Sequence, residues 1–140
     1  MNANNRQEGG THYQTLYQHW DFALDTGLGY LVGCATKYVA RWRKKGGSDD
    51  LCKAAHYVDK LIDEYVPVVD PAAEGGIMER IGFCKTFAEL NNLSPREQDI
   101  ITNLVAEYDF ASLEAAALAI DELINDYDSA DPGRGYVDQD

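Results

Sequence analysis

Seven of the chain's twelve Lys and Arg residues fall between Lys37 and Lys60, in the stretch KYVARWRKKGGSDDLCKAAHYVDK. That window holds only three acidic residues, so it sums to +4 within a chain of net charge −12. Binding a phosphate takes fixed positive charge and many N–H donors, and a positive island on an acidic protein is a place for a small anion. Lys37, Arg41, Lys53 and Lys60 are the phosphate-holding residues in this reading, with Lys44 and Lys45 beside them. Arg41 has the planar fork that grips two oxygens at once. Tyr13, Trp20, Tyr30, Tyr38 and Tyr57 are the rings on which a base could stack, and Tyr57 stands out because it lies between Lys53 and Lys60. Asp21 and Asp50 have the chemistry to hold Mg²⁺, although capping a neighbouring helix explains either one as well.

These residues sit on helical patterns. Leu28, Leu31, Val32, Ala35, Val39 and Trp42 recur at three and four, which predicts a helix over about 28–45. Tyr30, Cys34, Lys37, Arg41 and Lys44 then share its opposite face. Gly46-Gly47 ends that helix, and Ser48 or Asp49 is placed to cap a second one over about 50–65. Its apolar residues are Leu51, Ala54, Val58, Leu61 and Ile62, with Lys53, Tyr57 and Lys60 on the other side. So short a turn predicts an antiparallel helical hairpin over about 28–65. If both apolar faces rest on a third layer, the two polar stripes form one outward surface. If the helices bury those faces against each other, the stripes point apart.

The rest of the chain reads as more helix. Thr11 is placed to cap a short helix bearing Tyr13, Leu16, Tyr17 and Trp20. Further helices are expected at about 76–91, from Ser94, and at about 112–125. Ser94-Pro95-Arg96-Glu97 matches a capping box with proline at the first helical position. The chain divides into a helical domain over residues 1–66, a Pro- and Gly-rich linker at 67–76, a C-terminal helical extension over 77–127 and an acidic mobile tail at 128–140. The fold class is all-α, with about five helices.

Composition narrows the function. The 45% hydrophobic content suits a globular protein. No apolar run reaches the length of a membrane span, which makes a cytoplasmic protein the expectation. The net negative charge argues against broad binding of DNA or RNA, because a long polyanion is repelled. Cys34, Cys52 and Cys84 have no metal-ligand spacing and read as buried or half-buried thiols, and no metal site is predicted. There is no GxxxxGK[ST] phosphate loop.

His12-Tyr13, Asp21-Phe22, Gly33-Cys34-Ala35, Lys37-Tyr38, Arg41, Lys45, Asp50-Leu51, Lys53-Ala54, Tyr57 and Leu61-Ile62 occur in an order and spacing that resemble a small domain family. The family occurs mostly in phage proteins, is of unknown function, and is typified by a lytic coliphage nucleotide kinase. The resemblance spans residues 12–62. Cys34 stands where the family pattern has Asn, and a thiol is a weak donor and a weak acceptor where an amide is good at both.

The resemblance implies phosphoryl transfer to nucleoside monophosphates, with ATP and Mg²⁺ as the cofactors of such a kinase, in the cytoplasm of an infected host cell. It also brings forward His12 as an acid or base near neutral pH. The expectation is a homo-oligomeric protein that binds a nucleotide or a related phosphorylated metabolite. Lys37, Arg41, Lys45, Lys53 and Lys60 hold phosphates, Tyr13 and Tyr57 hold the base, and His12 or Asp21 assists chemistry. The second reading is a non-catalytic binder that sequesters a host signalling nucleotide within a subunit interface. The third, an acidic mimic of nucleic acid, leaves the basic island idle.

Overall fold

The structure is a computed structural model that describes residues 16–66 and 73–130, with side chains from 76 to 129 in the second stretch. His12, Tyr13, the Thr11 cap, most of the linker and residues 131–140 lie outside the described residues. Those described form six α-helices and no strands: α1 (His19–Thr26), α2 (Tyr30–Arg41), α3 (Ser48–Asp63), α4 (Ala73–Leu90), α5 (Pro95–Thr102) and α6 (Phe110–Ala130). The all-α class holds, and the helix count is six rather than five. No helix among the described residues is long and apolar enough to cross a membrane.

Local chemistry sets most boundaries. Gly27 ends α1 in the left-handed region at φ 67°, which glycine adopts without a Cβ penalty. At Ser94 the predicted capping box forms: Ser94 Oγ accepts from the Glu97 N–H at 3.1 Å, and Glu97 Oε1 accepts from the Ser94 N–H at 2.8 Å. The start of α3 departs from expectation. Neither Ser48 nor Asp49 caps it; Gly47 occupies the cap position at φ 60°, ψ −136°, and Ser48 is the buried first helical residue. Asp50, three residues into the helix, instead reaches back and accepts the Gly46 N–H at 3.0 Å. Asp109, not Ser112, caps α6, accepting the Ser112 N–H at 2.7 Å. Between α5 and α6 the chain widens into a π-helical turn, Asn103–Glu107.

The apolar faces read from the sequence are the buried ones. Val32, Ala35, Val39 and Trp42 of α2, and Leu51, Ala54, Val58 and Leu61 of α3, join Phe87 of α4, Ile100 and Ile101 of α5, and Leu113 and Ile120 of α6 in one core. Helix α2 packs on α3, α5 and the π-helical turn, while α3 also packs on α6 and α1 on α4. Burying apolar area at roughly 25 cal/mol per Å² is the main force holding these layers. Cys84 is buried and Cys34 half-buried, but Cys52 is exposed, contrary to the thiol reading, because it falls on the outer side of α3.

Candidate functional site

Residues of α2 and α3 pair in descending and ascending order: Arg41 with Asp50, Tyr38 with Lys53, Cys34 with Tyr57. The apolar faces rest on the layer behind, so the polar stripes come together in front. They meet at Tyr38. Its ring stacks with Tyr57 at 6.0 Å, the planes 12° apart, and Tyr30 meets Tyr57 edge-on at 6.4 Å. Three cations surround the Tyr38 ring: Arg41 at 4.8 Å, Lys37 at 4.9 Å and Lys53 at 5.4 Å from its centre. A ring's negative face lowers the cost of holding like charges so close.

Lys37 and Arg41 also border a cleft of about 310 Å³ shared with residues of α1 and the end of α4. Its lining is Gln18, His19 and Trp20 from α1 and its entry, Lys37, Ala40 and Arg41 from α2, Lys44 and Lys45 from the following turn, and Phe87 and Asn91 at the end of α4. Phe87 stacks on the buried Phe22 ring at 4.4 Å, which fixes the floor. Asn91 donates to the carbonyls of Tyr17 and Phe87, both at 2.9 Å, and pins α4 to the entry of α1. His19 Nε2 lies 2.8 Å from Thr36 Oγ1, tying α1 to α2. Trp20, 46% exposed, presents its indole at the cleft wall. The result is an apolar floor, an aromatic wall and a cationic rim. Lys37 and Lys44 have no carboxylate partner among the described residues.

Of the residues expected to act, Lys37, Arg41 and Lys45 line this cleft, while Lys53 and Tyr57 lie beside it on the Tyr38 face. Lys60 lies in neither group and pairs with Glu64 at 2.9 Å, two turns along α3 from Lys53. Arg41 is largely committed within the fold, its Nε and Nη2 donating to the two oxygens of the buried Asp50 carboxylate at 3.0 and 3.2 Å. That pairing also places Asp50 in an internal ion pair. Asp21 accepts the Gln18 N–H at 3.3 Å in the first turn of α1, a capping contact. The phenol of Tyr57 is pushed up to about 12, chiefly by its hydrogen bond to the Cys34 thiol, so it stays protonated at neutral pH.

His19 carries no functional signal in the sequence, where Trp20, Tyr38 and Lys44 stand only as secondary candidates. His19 has its imidazole held down to about 4, by burial first and by Lys37 second. Among the described residues no cluster of three His, Cys, Asp or Glu side chains could hold a metal ion.

A larger cleft of about 590 Å³ opens near the other end of α2, between the ends of α1 and α3, α4 and the π-helical turn. Leucines, valines and tyrosines dominate its lining, with Arg80 and Glu107 its charged side chains, and of the α2 stripe it takes in Tyr30 but none of the lysines or Arg41. The smaller cleft gathers Lys37, Arg41, Lys44 and Lys45 of the basic stretch.

Residues 10–59 match a protein family described as a protein of unknown function (DUF3310). That description ties the chain to no nucleotide kinase. No curated protein and no solved structure matches the chain.

Proposed function

We propose that this chain binds a nucleotide or a related phosphorylated metabolite in the cleft between α1, α2 and α4. The observation that carries the reading is the lining itself: Lys37, Arg41, Lys44 and Lys45 gathered around one pocket that also holds an indole, on a chain of net charge −12. Cations take the phosphate and Trp20 takes the base, because stacking needs only a π-face and a charge-assisted hydrogen bond needs only an oxygen. A volume of about 310 Å³ suits a mononucleotide-sized ligand.

Sequestration is favoured over phosphoryl transfer by the commitments of the carboxylates. Asp50 is locked to Arg41, and Asp21 caps α1. Calorimetric titration with a panel of nucleoside mono-, di- and triphosphates, cyclic nucleotides and ADP-ribose tests the binding. A folded sample that binds none of them sinks the proposal. Incubating the bound nucleotide with ATP and Mg²⁺ separates the two readings: recovery of unchanged ligand supports sequestration, and a phosphorylated product establishes the transferase.

A further inference from the structure

We infer that His19 selects the base: its Nδ1 accepts a hydrogen bond from an amino group on the ligand's ring, so nucleotides with an amine-bearing base, such as adenine or cytosine, are the preferred class. This rests on the cleft being the nucleotide site.

Thr36 is fully buried in the middle of α2. Its hydroxyl has one proton to give, and two carbonyls of its own helix stand ready for it, Val32 at 2.9 Å and Gly33 at 3.2 Å. The oxygen then has lone pairs left, and His19 Nε2 lies 2.8 Å away. With the hydroxyl proton given to its own helix, the imidazole supplies the proton of the His19–Thr36 contact as its Nε2–H tautomer, and Nδ1 is left as a bare acceptor. Phe22 at 6.2 Å and Phe87 at 6.0 Å pack edge-on against the ring and hold its orientation. Nδ1 makes no hydrogen bond among the described residues, and it is the ring nitrogen His19 has left to offer the cleft it lines. Burial and the neighbouring Lys37 keep the ring uncharged at neutral pH, so it reads by hydrogen bonding and not by charge. A carbonyl oxygen set against Nδ1 faces lone pair to lone pair, whereas an amine is accepted.

The test compares AMP and CMP with purine riboside 5′-monophosphate and 2-pyrimidinone riboside 5′-monophosphate, which differ only in lacking the amine. Inorganic pyrophosphate serves as a probe for the cationic rim alone. The amine-bearing nucleotides are expected to bind roughly 3- to 10-fold more tightly, the value of one neutral hydrogen bond. In His19→Leu that preference disappears while pyrophosphate affinity is retained. Should His19→Leu fail to fold, Thr36→Val serves instead: it removes the hydroxyl that fixes the tautomer and lowers the preference, while Thr36→Ser restores it. Equal binding of amine and des-amino nucleotides by the native protein overturns the inference and leaves the cleft as the binding site. So does a preference that survives both substitutions. Failure of nucleotides and pyrophosphate alike overturns the cleft itself, and this inference with it.

Discussion

The indole N–H of Trp42 donates to Oε2 of Glu97, a carboxylate that is only 1% exposed, across 55 residues of sequence. The same oxygen accepts from Arg43 Nε at 3.1 Å, and the other oxygen accepts the Ser94 N–H. One side chain therefore closes the end of α2, the start of α5 and its own capping box. Trp42 is further held by Tyr127 of α6, edge-on at 5.4 Å. The turn that carries Lys44 and Lys45 is braced by residues well outside the 10–59 family match.

Glu97→Ala is expected to destabilise the protein by about 3 kcal/mol, since it leaves a buried indole N–H and a helix start without their acceptor. Trp42→Phe removes one donor and is expected to cost about 1–3 kcal/mol, mostly from leaving the buried carboxylate under-bonded. Urea denaturation of the two variants and the double mutant measures the coupling, and additive effects would show that the contact is not made.

Gly46 is a position where a single methyl group is decisive. A Cβ there would lie 2.5 Å from Asp50 Oδ1 and 2.7 Å from its Cγ, and Asp50 is held by Arg41 and cannot swing aside cheaply. Gly46→Ala is expected to destabilise by about 1–3 kcal/mol through that overlap. Asp50→Asn weakens the same lock by replacing a charge pair with a neutral contact. A stability loss in both, read from chemical denaturation, is the expected result; a neutral Gly46→Ala would disprove the tight turn.

Binding should divide the lysines. Lys37→Ala and Lys44→Ala are each expected to weaken nucleotide affinity by about 1–3 kcal/mol, as the loss of a charge-assisted contact does. Lys60→Ala should leave it unchanged, because Lys60 is paired with Glu64 and lines no part of the cleft. Calorimetry on the three variants decides, and a loss at Lys60 as large as at Lys44 would move the site to the α3 face.

Acid should loosen the fold through His19. Its folded pKa of about 4 lies below the ordinary 6.5, so the unfolded chain binds the extra proton first. Stability therefore rises with pH between about 4 and 6.5, and falls as pH drops through that window, by on the order of 2–3 kcal/mol. Lys37 on α2 opposes the proton, Thr36 takes the Nε2–H, and Phe22 and Phe87 offer it no solvation. Urea midpoints at pH 4.5 and 7 for the native chain and His19→Gln provide the check, with a shallower pH dependence expected in the variant.

The sequence made some of this visible and hid the rest for physical reasons. The buried faces of α2 and α3 were legible because helical periodicity is local, and the Ser94 cap because its two partners stand three residues apart. The cleft was not. It exists because α1 packs on α4 and is tied to α2 through His19 and Thr36, and no local pattern reports that Trp20, Lys37 and Phe87 share a space. Asp50 looked like a metal ligand or a cap because its partner, Arg41, arrives only once the Gly46-Gly47 turn folds back. Lys60 looked equivalent to Lys53, but seven helical residues carry it about 10 Å along the axis.

The charge segregation on this chain has a kinetic side. An anion approaching this chain of net charge −12 is repelled by its acidic surface and attracted at the rim formed by Lys37, Lys44 and Lys45. The net charge opposes an anion's approach at long range, and the cationic rim offsets that repulsion only within about a Debye length, roughly 8–10 Å, while long polyanions are kept from settling elsewhere. Added salt screens both fields, so stopped-flow association rates at rising ionic strength tell which governs approach: faster association points to the net charge, slower association to the rim.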